Sequence, residues 1–124
     1  MPDRKRVEEF IAAVVGGDHV QAIADFYHED ASMQENGEPP RVGRDLLLEH
    51  ERNALQRVQA IETKPVKTFL VDDDVVVVHW VFLATDRKGV KRRLEELALQ
   101  RWRGDRIQEE RFFYDTALAW QAVG

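Results

Sequence analysis

Apolar residues recur at helical spacing in the first part of the chain. The first stripe predicts one amphipathic helix: Val7, Phe10, Ile11, Val14 and Val15. Gly16 and Gly17 follow directly and favour a helix end, because glycine adopts the positive φ that such ends often need. Asp18 and Gln21 have the spacing of a capping box, which predicts a second helix with its own apolar stripe: Val20, Ile23, Phe26 and Tyr27. The two helices are expected to form a hairpin.

A loop separates this hairpin from a third helix. After a short extended segment over residues 31–35, the run Asn-Gly-Glu-Pro-Pro at 36–40 cannot continue a helix or a central strand, because proline lacks a backbone N–H. Helical spacing resumes after Gly43 and predicts a third helix that ends before Pro65. Its stripe is Leu47, Glu51, Ala54, Leu55 and Val58.

The period of the pattern changes to two after Pro65. β-branched and aromatic residues predict strands over residues 66–71, 75–85, 90–102 and 107–116, separated by short polar turns. Gly104-Asp105 suits a tight hairpin between the last two strands. Helices first and a β-meander afterwards predict an α+β fold in one domain over residues 1–124. In that fold, three N-terminal helices pack on one face of a curved antiparallel sheet.

The composition narrows the classes of protein that fit this pattern. The 124 residues carry 23 acidic and 18 basic side chains, which disfavours a nucleic-acid partner because phosphate binding needs clustered Lys and Arg. There is no cysteine, which excludes disulfides, thiolate zinc sites and cysteine nucleophiles. The longest apolar run, 75–84, is interrupted by His79 and is too short for a membrane span, and residues 1–7 are too polar for a signal peptide. We expect a soluble, cytoplasmic protein that binds neither nucleic acid nor membranes.

Four segments carry a family resemblance. They are the Gly17-Asp18 break, Phe-Tyr-His-Glu-Asp-Ala-Ser at 26–32, Pro-Arg-Val-Gly-Arg at 40–44, and the hairpin at 100–107 with its continuation at 109–115. In this order, over essentially the whole chain, they resemble the SnoaL-like branch of the nuclear-transport-factor-2-like (NTF2-like, or cystatin-like) superfamily. The resemblance implies a cone-shaped fold, as in ketosteroid isomerase, around a pocket for a small, largely apolar molecule. It implies no single function, because the superfamily includes isomerases, cyclases, epoxide hydrolases, dehydratases, accessory subunits and transport factors.

Alternation along the strands, together with the similarity to ketosteroid isomerase, implies which side chains face the pocket. The inward set is Val78, Trp80, Phe82, Glu96, Ala98, Gln100, Glu110, Phe112 and Tyr114. The candidate ligand-binding residues are Tyr27, Val78, Trp80, Phe82, Gln100 and Phe112. Each aromatic residue among them is also compatible with ordinary core packing. Together they form a concave apolar wall, which is typical of a small-molecule site.

The candidate catalytic residues are Glu35, Glu96, Glu110 and Tyr114. Glu96 and Glu110 lie in mid-strand, where a buried carboxylate needs a cation or hydrogen bonds. One alternative is a structural pair with Arg92 or another arginine, and another is a register that turns Glu95 and Glu109 inward instead. If both face the pocket, burial and mutual repulsion should raise at least one pKa and leave a proton for acid catalysis. Glu35 is either the ionised base at the pocket mouth or a solvated glutamate at a loop edge.

The resemblance does not extend to the chemistry of ketosteroid isomerase. The carboxylate base of that enzyme falls on Glu35, but its phenol falls on Phe10 and its protonated acid on Ala98. Neither a phenyl ring nor a methyl group stabilises an enolate, so steroid isomerisation is not expected.

The four histidines lack metal-binding spacing, although His28 or His50 could act as an acid or base at the pocket mouth. We expect neither a metal nor a cofactor.

Two functions remain open. The first is an enzyme that performs isomerisation, cyclisation, dehydration or epoxide opening on a small apolar substrate by acid–base chemistry. The second is a non-catalytic ligand-binding or accessory domain, and an inward carboxylate without an arginine partner would favour the first.

Both faces of residues 75–83 are apolar, and Leu97, Leu99 and Phe113 extend the outer face. We therefore expect a homodimer formed through that face.

Overall fold

The computed structural model describes residues 2–123, with three helices and eight strands among them. The helices are α1 (Arg4–Val15), α2 (His19–Phe26) and α3 (Arg44–Gln56). The strands are β1 (Tyr27–Glu35), β2 (Arg41–Val42), β3 (Val58–Thr63), β4 (Phe69–Asp72), β5 (Val75–Asp86), β6 (Lys91–Arg103), β7 (Arg106–Phe113) and β8 (Gln121–Ala122). The predicted α+β class, with its helices in the N-terminal half, is confirmed.

Polar caps and a glycine define the helical hairpin. Asp3 caps α1, and the Asp18 carboxylate caps α2 by accepting a hydrogen bond from the Gln21 N–H at 3.0 Å. The second half of the predicted capping box is absent, because the Gln21 amide donates to Asp25 instead. Gly17 has a φ of 98°, a conformation that side chains with a Cβ disfavour, and it turns the chain between the two helices.

The strands form one curled, mixed sheet in the order β2-β1-β7-β6-β5-β3, with β4 also paired to β5 and β8 to β6. The antiparallel β5–β6–β7 meander is as predicted, and Gly104 turns its last hairpin with a φ of 65°. The sheet is not wholly antiparallel, however, because β1 runs parallel to β7 and places Glu35 beside Phe112. Alternation within each strand carries no information about this partnership, because the two strands are far apart in the sequence.

One strand occupies part of the predicted third helix. α3 ends at Gln56, well before Pro65, and β3 follows at once. β3 pairs with β5, with Ile61 opposite Ala84. Val58 and Ile61 are three residues apart, which is helical spacing, and in β3 a bulge between Val58 and Ala60 lets both line the same cavity. Pairing with β5 decides the outcome, because it satisfies the backbone groups of the segment and suits its β-branched side chains.

The core lies between the concave face of the sheet and the helices. Phe10 of α1 is its centre, and its ring makes edge contacts, with centroid separations of 5.4–6.1 Å, to four aromatic rings: Phe26, Tyr27, Trp80 and Trp102. Leu47 brings α3 into the same core, where it is fully buried. Within residues 2–123, every helix is too short or too polar to cross a bilayer.

Candidate functional site

A cavity of about 420 Å³ lies between the helices and the concave face of the sheet. Aromatic rings from α1, β5 and β7 form much of its wall: Phe10, Trp80, Phe82 and Phe112. Three of these rings are predicted ligand-binding residues, and Tyr27, a fourth, also lines the cavity. Val78 and Gln100 are fully buried behind the wall, so the structure does not bring these two to the cavity as predicted.

The strand register places the predicted polar residues on the concave face. Gln100 lies opposite Glu110 across β6 and β7, and Glu96 lies opposite Trp80 across β5 and β6. Glu96 is 7% exposed and Glu110 is 3% exposed. Glu95 and Glu109 are exposed on the other face, so the alternative register is wrong.

Glu110 is held by neutral hydrogen-bond donors. The Tyr27 hydroxyl donates to Oε1, and the Gln100 amide donates to Oε2 at 2.6 Å. The Trp102 indole N–H in turn donates to the Gln100 Oε1 at 3.0 Å, which fixes the orientation of that amide. Tyr27 and Gln100 were both predicted as ligand-binding residues, whereas the structure engages their polar groups with Glu110.

Burial raises the pKa of Glu110 to about 7, although the hydrogen bonds from Tyr27 and Gln100 act in the opposite direction. Burial and the nearby Glu110 charge also raise the pKa of Tyr27 well above its ordinary value. The phenol therefore remains a donor near neutral pH. Glu110 loses its proton before Tyr27 does, and its carboxylate form is the one that these donors stabilise.

Glu96 lies in a different environment. Within the described part of the chain its side chain makes no hydrogen bond and no ion pair, and its carboxyl group faces the cavity. Burial, followed by the charge of Glu110, raises the pKa of Glu96 to about 8. The expectation that at least one inward glutamate has a raised pKa agrees with this value. Glu96 therefore carries its proton at neutral pH, and no side chain within residues 2–123 accepts a hydrogen bond from it.

Glu35 and Tyr114 line the cavity near its mouth. The Glu35 carboxylate pairs with Arg41, with Nη2 2.6 Å from Oε2, and the Arg41 Nε is buried without an acceptor among the described residues. Tyr114 lies just past the end of β7, where its backbone N–H donates to Asn36. Burial and the Glu35 charge raise the pKa of Tyr114, so its phenol stays protonated. All four predicted catalytic residues thus reach the cavity, but Glu35 is the one engaged by an arginine.

Sequence analysis missed a further polar cluster on the opposite wall. His19 lines the cavity, and its Nε2 lies 2.9 Å from the Thr63 hydroxyl. Its Nδ1 lies 3.5 Å from Glu51, which also lines the cavity. The available signal was the position of Glu51 within the apolar stripe of α3. His50 lines the cavity as anticipated, whereas His28 bonds to the carbonyl oxygen of Arg103 outside it.

Comparisons with solved structures identify the fold. A candidate SnoaL-like polyketide cyclase from Mesorhizobium loti is 20% identical, covers 92% of this chain and 100% of its own, and superposes with a TM-score of 0.76. A protein with a ketosteroid isomerase-like fold from Catenulispora acidiphila, in complex with trimethylamine, is 15% identical. The match covers 94% of this chain and 89% of that protein, with a TM-score of 0.77. An LEH-like epoxide hydrolase of M. tuberculosis is 16% identical. The match covers 93% of this chain and 84% of the hydrolase, with a TM-score of 0.75.

The family follows from the sequence itself. Comparison with curated protein sequences gives no match. The family model for the SnoaL-like domain matches residues 7–110, which is most of the chain. This protein therefore belongs to the SnoaL-like domain family and has the NTF2-like, ketosteroid isomerase-like fold.

Proposed function

We propose that this protein binds a small, largely apolar molecule in its cavity and catalyses a proton-transfer reaction on it, without a cofactor. One observation carries the proposal. Glu96 and Glu110 both face an apolar cavity, and neither forms an ion pair with a cation in the described part of the chain. An arginine partner on each carboxylate would have indicated structural ion pairs, because an unpaired buried charge is strongly destabilising.

The two carboxyl groups have different roles in this proposal. Glu110, with the lower pKa and two neutral donors, is the base, and Glu96, which stays protonated, is the acid. Glu96 is four residues from Gln100, the cross-strand partner of Glu110, so the two backbone positions are roughly 13 Å apart along the strands. The two groups therefore act on different parts of a bound molecule and do not share one proton.

Glu35 is a poorer base than sequence analysis expected. Taking up a proton would break its ion pair with Arg41, whereas Glu110 forms no ion pair with any of the described residues. We assign Glu35 and Arg41 to the cavity mouth, where they position the ligand. Isomerisation, cyclisation, dehydration and epoxide opening all require one group that accepts a proton or one that donates it, and relatives of this fold include a candidate polyketide cyclase and an epoxide hydrolase.

A ligand-binding domain without catalysis is the second candidate. It is favoured by the relative that binds trimethylamine, which shows that a protein of this fold holds a small molecule. The two candidate functions differ in whether the carboxyl groups of Glu96 and Glu110 determine a reaction rate or only the affinity for the ligand.

A generic proton-transfer probe tests the proposal. Nitrobenzisoxazole is a small, flat molecule whose ring opens when a base removes its carbon-bound proton, and its coloured product allows a direct rate measurement. The reactive form needs Glu110 ionised and Glu96 protonated, so kcat/KM should follow a bell that rises near pH 7 and falls near pH 8. Glu110→Gln should lower kcat/KM by about 10²-fold or more, since that is the usual contribution of a general base.

The control is Glu109→Gln, which makes the same change at the neighbouring exposed position and should leave the rate unchanged. Glu96→Gln should remove the alkaline limb of the bell. If the probe binds but reacts at the background rate of the buffer, or if Glu110→Gln reacts as fast as the unmodified protein, the binding-domain candidate is correct.

We also propose a homodimer formed through the outer face of the sheet. Leu97, Leu99 and Phe113 are 48%, 41% and 40% exposed there, and Leu118 borders the same face beside a depression of about 400 Å³. A second copy is the simplest cover, because a two-fold axis brings one apolar patch against itself. Light scattering after size-exclusion chromatography should give twice the chain mass, and Leu97→Glu should give a monomer. A monomer for the unmodified protein at micromolar concentration contradicts this proposal.

A further inference from the structure

We propose that the ligand of the cavity is an organic amine: an apolar body that carries one basic nitrogen, which binds beside Glu96 as an ammonium group. The inference rests on the proposed function only in taking the same cavity as the binding site. It goes further by naming the chemical class of the ligand and the side chain that recognises it.

The cationic side chains around the cavity are already neutralised or solvated. Arg41 pairs with Glu35 at 2.6 Å, and Arg92 pairs with Asp86 at 3.1 Å. Arg57 also borders the cavity, but its side chain is exposed to water at the rim. The Arg41 Nε is buried without an acceptor among the described residues, but it belongs to a guanidinium whose charge Glu35 already neutralises, so an anionic ligand would find no unpaired cation there.

The acidic side chains show the opposite pattern. Glu96 is more than nine-tenths buried, faces the cavity and lacks a partner in the described part of the chain, and Glu110 has only neutral donors. Glu51 adds a third carboxylate, whose neighbour is His19 at 3.5 Å. Burying unpaired carboxyl groups is unfavourable, and a cation supplied by the ligand would relieve that penalty.

The apolar part of the wall suits an ammonium group with hydrocarbon substituents. The rings of Trp80 and Phe82 stack at a centroid separation of 5.8 Å, and Trp80 lies opposite Glu96 across the strands. Aromatic faces attract organic cations, and the attraction is greatest where water is excluded. A carboxyl group and an indole ring at one position of the wall therefore recognise the charge and the apolar body of the same ligand.

Binding of an amine removes the proton from Glu96. A neutral amine that reaches the protonated carboxyl group takes up its proton, and the products are a carboxylate and an ammonium group joined by an N–H···O hydrogen bond. An amine that arrives as an ammonium ion yields the same pair and releases the Glu96 proton to water. Binding near neutral pH should therefore release a proton, because Glu96 is protonated in the empty cavity.

Three probes of similar size and different charge test the inference: benzylamine, benzyl alcohol and benzoate. Affinity is measured by isothermal titration calorimetry near pH 7, and proton release by repeating the titration in buffers of different ionisation enthalpy. Benzylamine, which is cationic at this pH, should bind about tenfold tighter than benzyl alcohol or more, with proton release, and benzoate should bind most weakly. Glu96→Gln should abolish the preference for benzylamine, whereas the matched Glu109→Gln should keep it.

The outcomes separate this inference from the proposed function. If benzyl alcohol binds as tightly as benzylamine, or if the preference survives Glu96→Gln, the amine inference is wrong and the apolar-ligand site stands. If benzylamine binds without proton release, Glu96 is not its partner and the inference is also wrong. If none of the probes shifts the NMR signals of Trp80 and Phe82, both the inference and the proposed binding function are contradicted.

Discussion

Glu96→Gln should make this protein more stable at neutral pH, although it removes an ionisable group from the candidate active site. The pKa of Glu96 is 4.5 in an ordinary environment and about 8 in the folded protein. Between these values the unfolded chain releases a proton that the folded chain retains, so stability falls as the pH rises. It is highest below pH 4.5 and stops falling above about pH 8, where both states are ionised.

The size of the effect follows from the same two values. Each pH unit in this interval costs about 1.4 kcal/mol, so the penalty is roughly 3 kcal/mol at pH 7 and roughly 5 kcal/mol at pH 8. Glutamine has nearly the same shape and never ionises, and Glu96 makes no hydrogen bond with the described residues that the substitution would break. The variant should therefore match the unmodified protein near pH 4.5 and exceed it by up to about 3 kcal/mol at neutral pH.

Urea denaturation at a series of pH values measures this difference. The control is Glu109→Gln, which makes the same change at an exposed position of β7 and should shift the free energy of unfolding by less than about 0.5 kcal/mol at every pH. If the difference in stability between Glu96→Gln and the unmodified protein does not change with pH, the reasoning is refuted. Glu96 would then have the same pKa in the folded and in the unfolded chain.

Three further predictions concern single residues. Tyr27→Phe removes a hydrogen bond that lowers the pKa of Glu110, so carbon-detected NMR should show the Glu110 carboxyl group titrating above about 7. A lower value would contradict the assigned hydrogen bond between Tyr27 and Glu110. Gly17→Ala should reduce the free energy of unfolding by about 1 kcal/mol or more because φ is 98° there, whereas Gly37→Ala, at a glycine without positive φ, should change it little in the same urea titration. A ketosteroid substrate should not be isomerised, because Phe10 has no hydroxyl group to stabilise an enolate. Turnover above background in an absorbance assay would show that Phe10 does not occupy the position of the phenol in ketosteroid isomerase.

Local patterns predicted much of the fold because they act within single elements. The apolar stripe around Phe10 predicted α1, and Asp18 marked the start of α2. Alternation on β6 placed Glu96, Ala98 and Gln100 on one face, because each strand residue points opposite to its neighbours. The similarity to ketosteroid isomerase then implied that this face is the concave one.

The features that sequence analysis missed depend on contacts between distant segments. The start of β3 was assigned to a helix because Val58 continues the helical stripe of α3, and only pairing with β5 shows that the segment is a strand. The partner of Glu110 is Tyr27, which lies 83 positions earlier in the chain, and no pattern links the two. His19 and Glu51 likewise meet only when α2 packs against α3, so their pairing could not be read from either helix alone.

The parallel pairing of β1 with β7 has a consequence for the synthesis of this protein. β1 is complete at residue 35, but its long partner is not complete until residue 113. While the chain is still on the ribosome, β1 has only the two-residue β2 beside it, and α1 and α2 lack the finished sheet on which they pack. Such non-local pairing slows folding, and an open strand edge is prone to aggregation. The nascent chain should therefore expose the edge of β1 until its last long strand emerges.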